Sequence, residues 1–81
     1  MEVMAGRPKD VEDWEILEAA TVIHGPATAK ELAERLDMSR SGVNKRLDKL
    51  VDRGLLFEKK VGANAVIYWL TDEGERHLAN H

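Results

Sequence analysis

Between Thr28 and Gly54 the chain carries two amphipathic helical stretches separated by three residues, and no other feature restricts its fold as tightly. In the first, Ala29, Leu32, Ala33 and Leu36 recur at i, i+3, i+4 and i+7, a single apolar stripe on a helix of little more than two turns. Thr28 opens it as a capping box, because Glu31 can return a hydrogen bond to the Thr28 backbone. Asp37-Met38-Ser39 breaks the pattern. Ser39 is a natural N-cap for the second stretch, Met38 can staple onto Val43, and Val43, Leu47, Leu50 and Val51 form an inward face that Gly54 ends, which predicts a helix over 39–53. Helices joined by so short a turn must cross and bury stripe against stripe. Ala33 is the small residue where they meet, and Val43, ten positions later, fills the gap. Asp37 takes the turn position and is expected to be left-handed at some cost.

The flanks complete one small core. Asp10 is expected to cap a first helix over about 11–24, with Trp14, Leu17 and Thr21 inward, Ile16, Ala20 and Ile23 widening that side, and Glu15 and Glu18 outside. His24-Gly25-Pro26 stops it, His24 suiting the negative end of the helix dipole. After Gly54, the branched and aromatic residues of 55–61 and 65–70 flank Gly62-Ala63-Asn64, which reads as a β-hairpin over 55–70. Thr71 caps a last helix through about Asn80, weakened by Gly74 and anchored by Leu78. The expected fold is mainly α with a small β-hairpin, in the order α-α-α-β-β-α. It forms one domain over 10–81 behind a flexible basic arm at 1–9.

Composition removes several functional classes. With 81 residues there is room for one modest core and none for an enclosed catalytic cleft. The absence of cysteine excludes thiol nucleophiles, disulfides and Cys-containing zinc sites. No apolar run approaches the roughly 20 residues that span a bilayer, so a soluble cytoplasmic chain is expected, nucleoid-associated if prokaryotic. No nucleophile and base, metal cluster or phosphate loop stands at convincing spacing, so neither an enzyme nor a cofactor is expected. His77 and His81 are four apart but lack a third ligand, so no metal is expected there.

A net charge of −3 argues against a nucleic-acid binder only if it is spread evenly, and it is not. Residues 1–39 carry four basic and nine acidic side chains, residues 40–60 seven and three, and residues 61–81 one and three. The basic block falls on the second helix of the pair. Such a pair, with its second helix amphipathic and basic outside, is what a helix-turn-helix requires, and such helices present their N-terminal half to base edges. Arg40 and Lys45 can donate to guanine O6 and N7, Asn44 can pair with adenine, and Ser41 can serve a base or a phosphate. Thr28, Ser39, Arg46, Lys49, Arg53, Lys59 and Lys60 are candidates for phosphate, with Asp48 and Asp52 as alternative partners for Arg46, Lys49 and Arg53. Gly42 costs helix stability, which suggests close approach to DNA or to the preceding helix.

At Thr28–Leu36, Ser39–Leu47, Leu50–Leu56 and Tyr68–Gly74 the chain resembles winged helix-turn-helix regulators of the MarR and ArsR kind and the small winged-helix repressors found widely in archaea. The resemblance covers about residues 10–80. It implies a transcriptional regulator whose recognition helix reads the major groove of double-stranded DNA while the hairpin serves as wing. MarR-type wings usually carry an Asp and Arg pair near the tip, whereas Gly62-Ala63-Asn64 holds no cation. Gly6-Arg7-Pro8-Lys9 resembles an AT-hook core lacking its second Arg, which makes Arg7 and Lys9 candidates for a minor-groove arm.

Trp14, Tyr68 and Trp69 are expected in packing or a dimer interface. A homodimer on a pseudo-palindrome is expected, with helix 1, helix 4 or Trp69 joining the copies; no effector is indicated. The alternative is a winged-helix protein-interaction module of a larger complex.

Overall fold

The computed structural model describes residues 11–23, 26–63 and 65–81. The elements are α1 (Asp13–Val22), β1 (Ala27–Thr28), α2 (Ala29–Leu36), α3 (Arg40–Asp52), β2 (Leu56–Val61), β3 (Ala65–Leu70) and α4 (Asp72–Ala79). The strands form an antiparallel sheet in the order β1-β3-β2. The winged helix-turn-helix order is therefore as expected, with one added strand. Two residues carry no readable periodicity, yet Ala27 pairs with Tyr68 and Thr28 with Ile67, tying the start of α2 to the hairpin.

Helix α1 is shorter than 11–24 at both ends. Glu12 rather than Asp10 is its N-cap, with the Glu12 N–H donating to Glu15 Oε2 at 3.0 Å. Asp10 lies outside the described residues. The buried row runs through Ile16 and Ala20, with Leu17 and Ala19 beside it. Trp14 and Thr21, seven apart, share a row at the margin of that face. Thr21 is thus exposed, contrary to expectation, and its hydroxyl donates to the Glu18 carbonyl at 2.7 Å.

The helix pair follows its local signals. Thr28 Oγ1 accepts from the Glu31 N–H at 3.1 Å, and Glu31 Oε1 accepts from the Thr28 N–H at 2.9 Å, which closes the capping box. Asp37 adopts φ 57° and ψ 45°, and the Met38 N–H donates to the Ala33 carbonyl at 2.9 Å, turning the chain after α2. Because a β-carbon is strained there, Asp37→Gly is expected to raise stability by about 0.5–1 kcal/mol despite the entropy of the added glycine. Chemical denaturation with an unchanged m-value will measure it, and a loss of stability would show that the Asp37 side chain contributes more than its strain costs.

Ser39 Oγ caps α3 by accepting from the Gly42 N–H at 3.0 Å. A β-carbon at Gly42 would lie 3.0 Å from Ser39 Oγ, a tight contact, with Met38 Cε next and no atom of α2 within 4 Å, so close approach to α2 does not account for the glycine. Val43, Leu47 and Leu50 are buried with Leu32, Ala33 and Leu36, so the stripes of α2 and α3 face one another as their spacing predicts. Gly54 closes α3 at φ +78°, where the Leu55 N–H donates to the Leu50 carbonyl at 2.9 Å.

Candidate nucleic-acid interface

The N-terminal end of α3 carries no acid in its first turn, unlike α1, α2 and α4. Apart from the Ser39 cap, the positive end of its dipole therefore has no acidic partner in that turn, and Arg40 adds charge at the same end. Arg40, Ser41, Asn44 and Lys45 are all exposed, Ser41 and Lys45 opposite the buried Val43 and Leu47 and Arg40 and Asn44 at the border of that face. They form two adjacent rows, Arg40 with Asn44 and Ser41 with Lys45.

The first row borders a groove of about 390 Å³ lined by Thr28, Ala29 and Lys30 of β1 and α2, Arg40 and Asn44 of α3, and Ala65, Val66 and Tyr68 of β3. Three separate stretches of chain meet here because β1 holds the start of α2 against β3. Burial, reinforced by nearby Glu58 and Asp48, pushes the Tyr68 hydroxyl above its ordinary value, so it stays a neutral donor at the groove floor. Lys30 was not among the sequence candidates. A signal for it existed: a cation in the first turn of α2 opposes the helix dipole, so helix stability does not account for it.

The two wing lysines separate. Along β2 the side chains alternate, and Lys60 faces the same side as Leu56 and Glu58, opposite Val66 and in line with Tyr68. Lys59 falls on the other face, opposite Ile67 and beside the tilted Phe57–Trp69 pair, whose ring centroids are 5.4 Å apart. Only Lys60 therefore shares a face with the groove. Phe57 on the outer face is 51% exposed.

Arg46 and Arg53 are drawn elsewhere. Arg46 Nη2 donates to Asp13 Oδ1 at 2.8 Å and Arg53 Nη1 to Asp13 Oδ2 at 2.5 Å, so their partner is on α1 and neither Asp48 nor Asp52 takes that role. The hydrogen bond from Arg46, then that from Arg53, hold the Asp13 carboxyl below its ordinary value against the opposing effect of burial. Ser39 is committed to the Gly42 N–H through its side chain, and Thr28 to Glu31, while Lys49 is exposed. Trp14 stacks on His81 at a centroid distance of 4.2 Å. Among the described residues no three metal-ligating side chains cluster, and no helix is long and apolar enough to cross a membrane. Arg7 and Lys9 lie outside the described residues.

Comparison with known proteins places this arrangement. No curated protein matches the chain. Among solved structures, the PcaV transcriptional regulator from Streptomyces coelicolor, solved with its natural ligand, is 26% identical with a TM-score of 0.74, over 82% of this chain and 48% of that one. The transcriptional regulator BldR from Sulfolobus solfataricus is 27% identical with a TM-score of 0.73, over 84% and 49%. Human N-acetylserotonin methyltransferase shares the fold alone, at 21% identity and a TM-score of 0.71, over 78% of this chain and 18% of the enzyme. The chain thus spans about half the length of the regulators it matches. The family description that matches, over residues 14–64, takes in α1, the helix pair and the start of the hairpin, and by it the chain belongs to the MarR family.

Proposed function

We propose that this chain binds double-stranded DNA sequence-specifically as the recognition domain of a transcriptional regulator, with α3 in the major groove and β2–β3 as a short wing. One observation carries the reading: Arg40 and Asn44 of α3 share a groove with Thr28 and Lys30 of the preceding helix start and with β3 of the hairpin. That is a base-reading row flanked on both sides by elements suited to the sugar-phosphate backbone. Arg40 and Lys45 read guanine, Asn44 adenine, and Ser41 a base or phosphate. Lys30, Ser39, Lys49 and Lys60 contact phosphate, Ser39 through the hydroxyl hydrogen its cap leaves free, whereas the N–H and hydroxyl of Thr28 both donate to Glu31 and take no part. Arg46 and Arg53 are anchors to α1, and Lys59 takes no part. The acidic surface elsewhere faces away from the duplex. Because the wing tip lacks a cation, base choice rests on α3. The role is one of binding, and no reaction is assigned to the chain.

The reading is tested by selecting bound fragments from the source genome and titrating the best duplex by fluorescence anisotropy. Arg40→Ala or Asn44→Ala is expected to cost about 1–3 kcal/mol in binding and to relax preference at one base position. Lys60→Ala is expected to flatten the log–log salt dependence by about 0.9 with base preference unchanged, whereas Lys59→Ala leaves the slope alone. Light scattering on the same complexes is expected to show two copies on a pseudo-palindrome, since one such domain offers few base contacts. Absence of binding to any genomic fragment at low salt would favour the protein-interaction reading, for which the exposed Phe57 beside Trp69 supplies a contact surface.

A further inference from the structure

The seat of α3 on the core is apolar and therefore non-directional. Val43, Leu47 and Leu50 are at most 1% exposed and among the described residues no polar side chain is buried with them, so on this face only the fit of the packing fixes the roll of the helix. The Asp13 carboxylate supplies the direction. Arg46 and Arg53 are seven residues, or about 10.5 Å, apart along the helix axis, and each takes a different oxygen of the same carboxylate. A single donor would leave α3 free to pivot about it, whereas two donors two turns apart restrain slide and roll together. At about 100° per residue the two arginines project about 180–200° around the helix from Asn44, so the clamp grips α3 on the flank away from the Arg40–Asn44 row.

The same turn of α1 bears a second load. Trp14, next to Asp13, stacks on His81 beyond the end of α4, the ring planes 4° apart. The first turn of α1 is therefore held by α3 through one residue and by the end of α4 through the next.

We propose that Asp13 is a positioning residue for DNA recognition. Through its two-arginine clamp it sets the roll of α3, and with it the aim of Arg40, Ser41, Asn44 and Lys45, and it makes the first turn of α1 a point at which the C-terminal end of α4 is coupled to the recognition helix. The proposal rests on the DNA-binding reading above. It goes beyond it in making Asp13, through those anchors, a determinant of how the reading rows are aimed.

The test compares wild type, Asp13→Asn, the double variant Arg46→Gln with Arg53→Gln, and all three changes together, each measured well below its melting temperature on the selected duplex and on a scrambled one. Asp13→Asn is expected to weaken specific binding about tenfold and to reduce the ratio of specific to non-specific affinity. The salt slope stays unchanged because no phosphate contact is lost. The double variant is expected to match it, and the triple variant to be no worse than either, because all three break one clamp. A double variant that lowers the slope by about 0.9 per arginine, with Asp13→Asn binding as tightly as wild type, would overturn the proposal by showing both arginines on phosphate. An unchanged specificity ratio in every variant would overturn it as well.

A readout without DNA separates the two ideas. Backbone residual dipolar couplings are expected to report a changed orientation of α3 relative to α1 in Asp13→Asn and in the double variant. Identical orientations would overturn the clamp whether or not DNA binds. A wild type that binds no duplex would overturn the DNA-binding reading and the recognition role of Asp13 with it, while the couplings still decide whether the clamp sets the helix.

Discussion

Replacing Gly74 by alanine is expected to destabilise the domain by about 2–3 kcal/mol, although alanine is the better helix former by about 1 kcal/mol. Gly74 lies in the first turn of α4, buried against the start of the wing. A β-carbon there would overlap the Leu55 carbonyl oxygen and stand 3.1 Å from its carbonyl carbon, with Leu70 Cγ at 3.4 Å. The obstacle is backbone and cannot rotate away. Nor can it shift easily, because the Leu55 N–H donates to the Leu50 carbonyl at 2.9 Å and the Leu55 carbonyl accepts from the Thr71 N–H at 3.2 Å. Thr71 adds a third tie, its hydroxyl donating to the Gly54 carbonyl at 2.6 Å while accepting from the Gly74 N–H at 2.9 Å. For a domain of this size the loss corresponds to a fall in melting temperature of roughly 10–20 °C. Thermal unfolding followed by circular dichroism measures it, and an alanine variant as stable as wild type would show that α4 can lift off Leu55 at no cost.

Leu47→Ala is the second large effect, expected at about 2–5 kcal/mol. Leu47 is fully buried between Val43 and Leu50, on the face that holds the recognition helix to α2 and the core. Truncation leaves a cavity in the helix pair, and the short turn at Asp37 and Met38 limits how far α3 can move in to fill it. Lys45→Ala, two residues away but exposed, is expected to change stability by no more than about 0.5 kcal/mol. Urea unfolding of both variants separates the roles, since the first should lose DNA binding by unfolding and the second by losing a contact. A loss below about 1 kcal/mol in Leu47→Ala would mean that the α2–α3 contact is looser than its burial indicates.

These effects mark where local sequence stops being informative. Gly74 reads as a weak spot in a helix until Leu55, nineteen positions earlier, is brought against it. Arg46 and Arg53 read as phosphate ligands, or as partners of Asp48 and Asp52, because sequence distance is the only distance a sequence offers. Their carboxylate is 33 and 40 residues away. Strand alternation puts Lys59 and Lys60 on opposite faces, but only the register with β3 shows which of them shares a face with Tyr68 and Val66.

What the sequence determined by itself is everything built from interactions within a few residues: the Thr28–Glu31 capping box, the Ser39 cap, the left-handed turn at Asp37, the apolar stripes of α2 and α3, the hairpin and the exposed rows Arg40–Asn44 and Ser41–Lys45. Helix caps close over three residues and stripes repeat every three or four, so each leaves a local trace. Only the tertiary structure decided the two-residue strand β1, the groove that joins Lys30 to Arg40 and Asn44, the need for glycine at 74 and the clamp on Asp13. Each of these depends on two distant segments arriving at one place. That arrival is set by the packing of the whole core, for which no short stretch of residues carries a pattern.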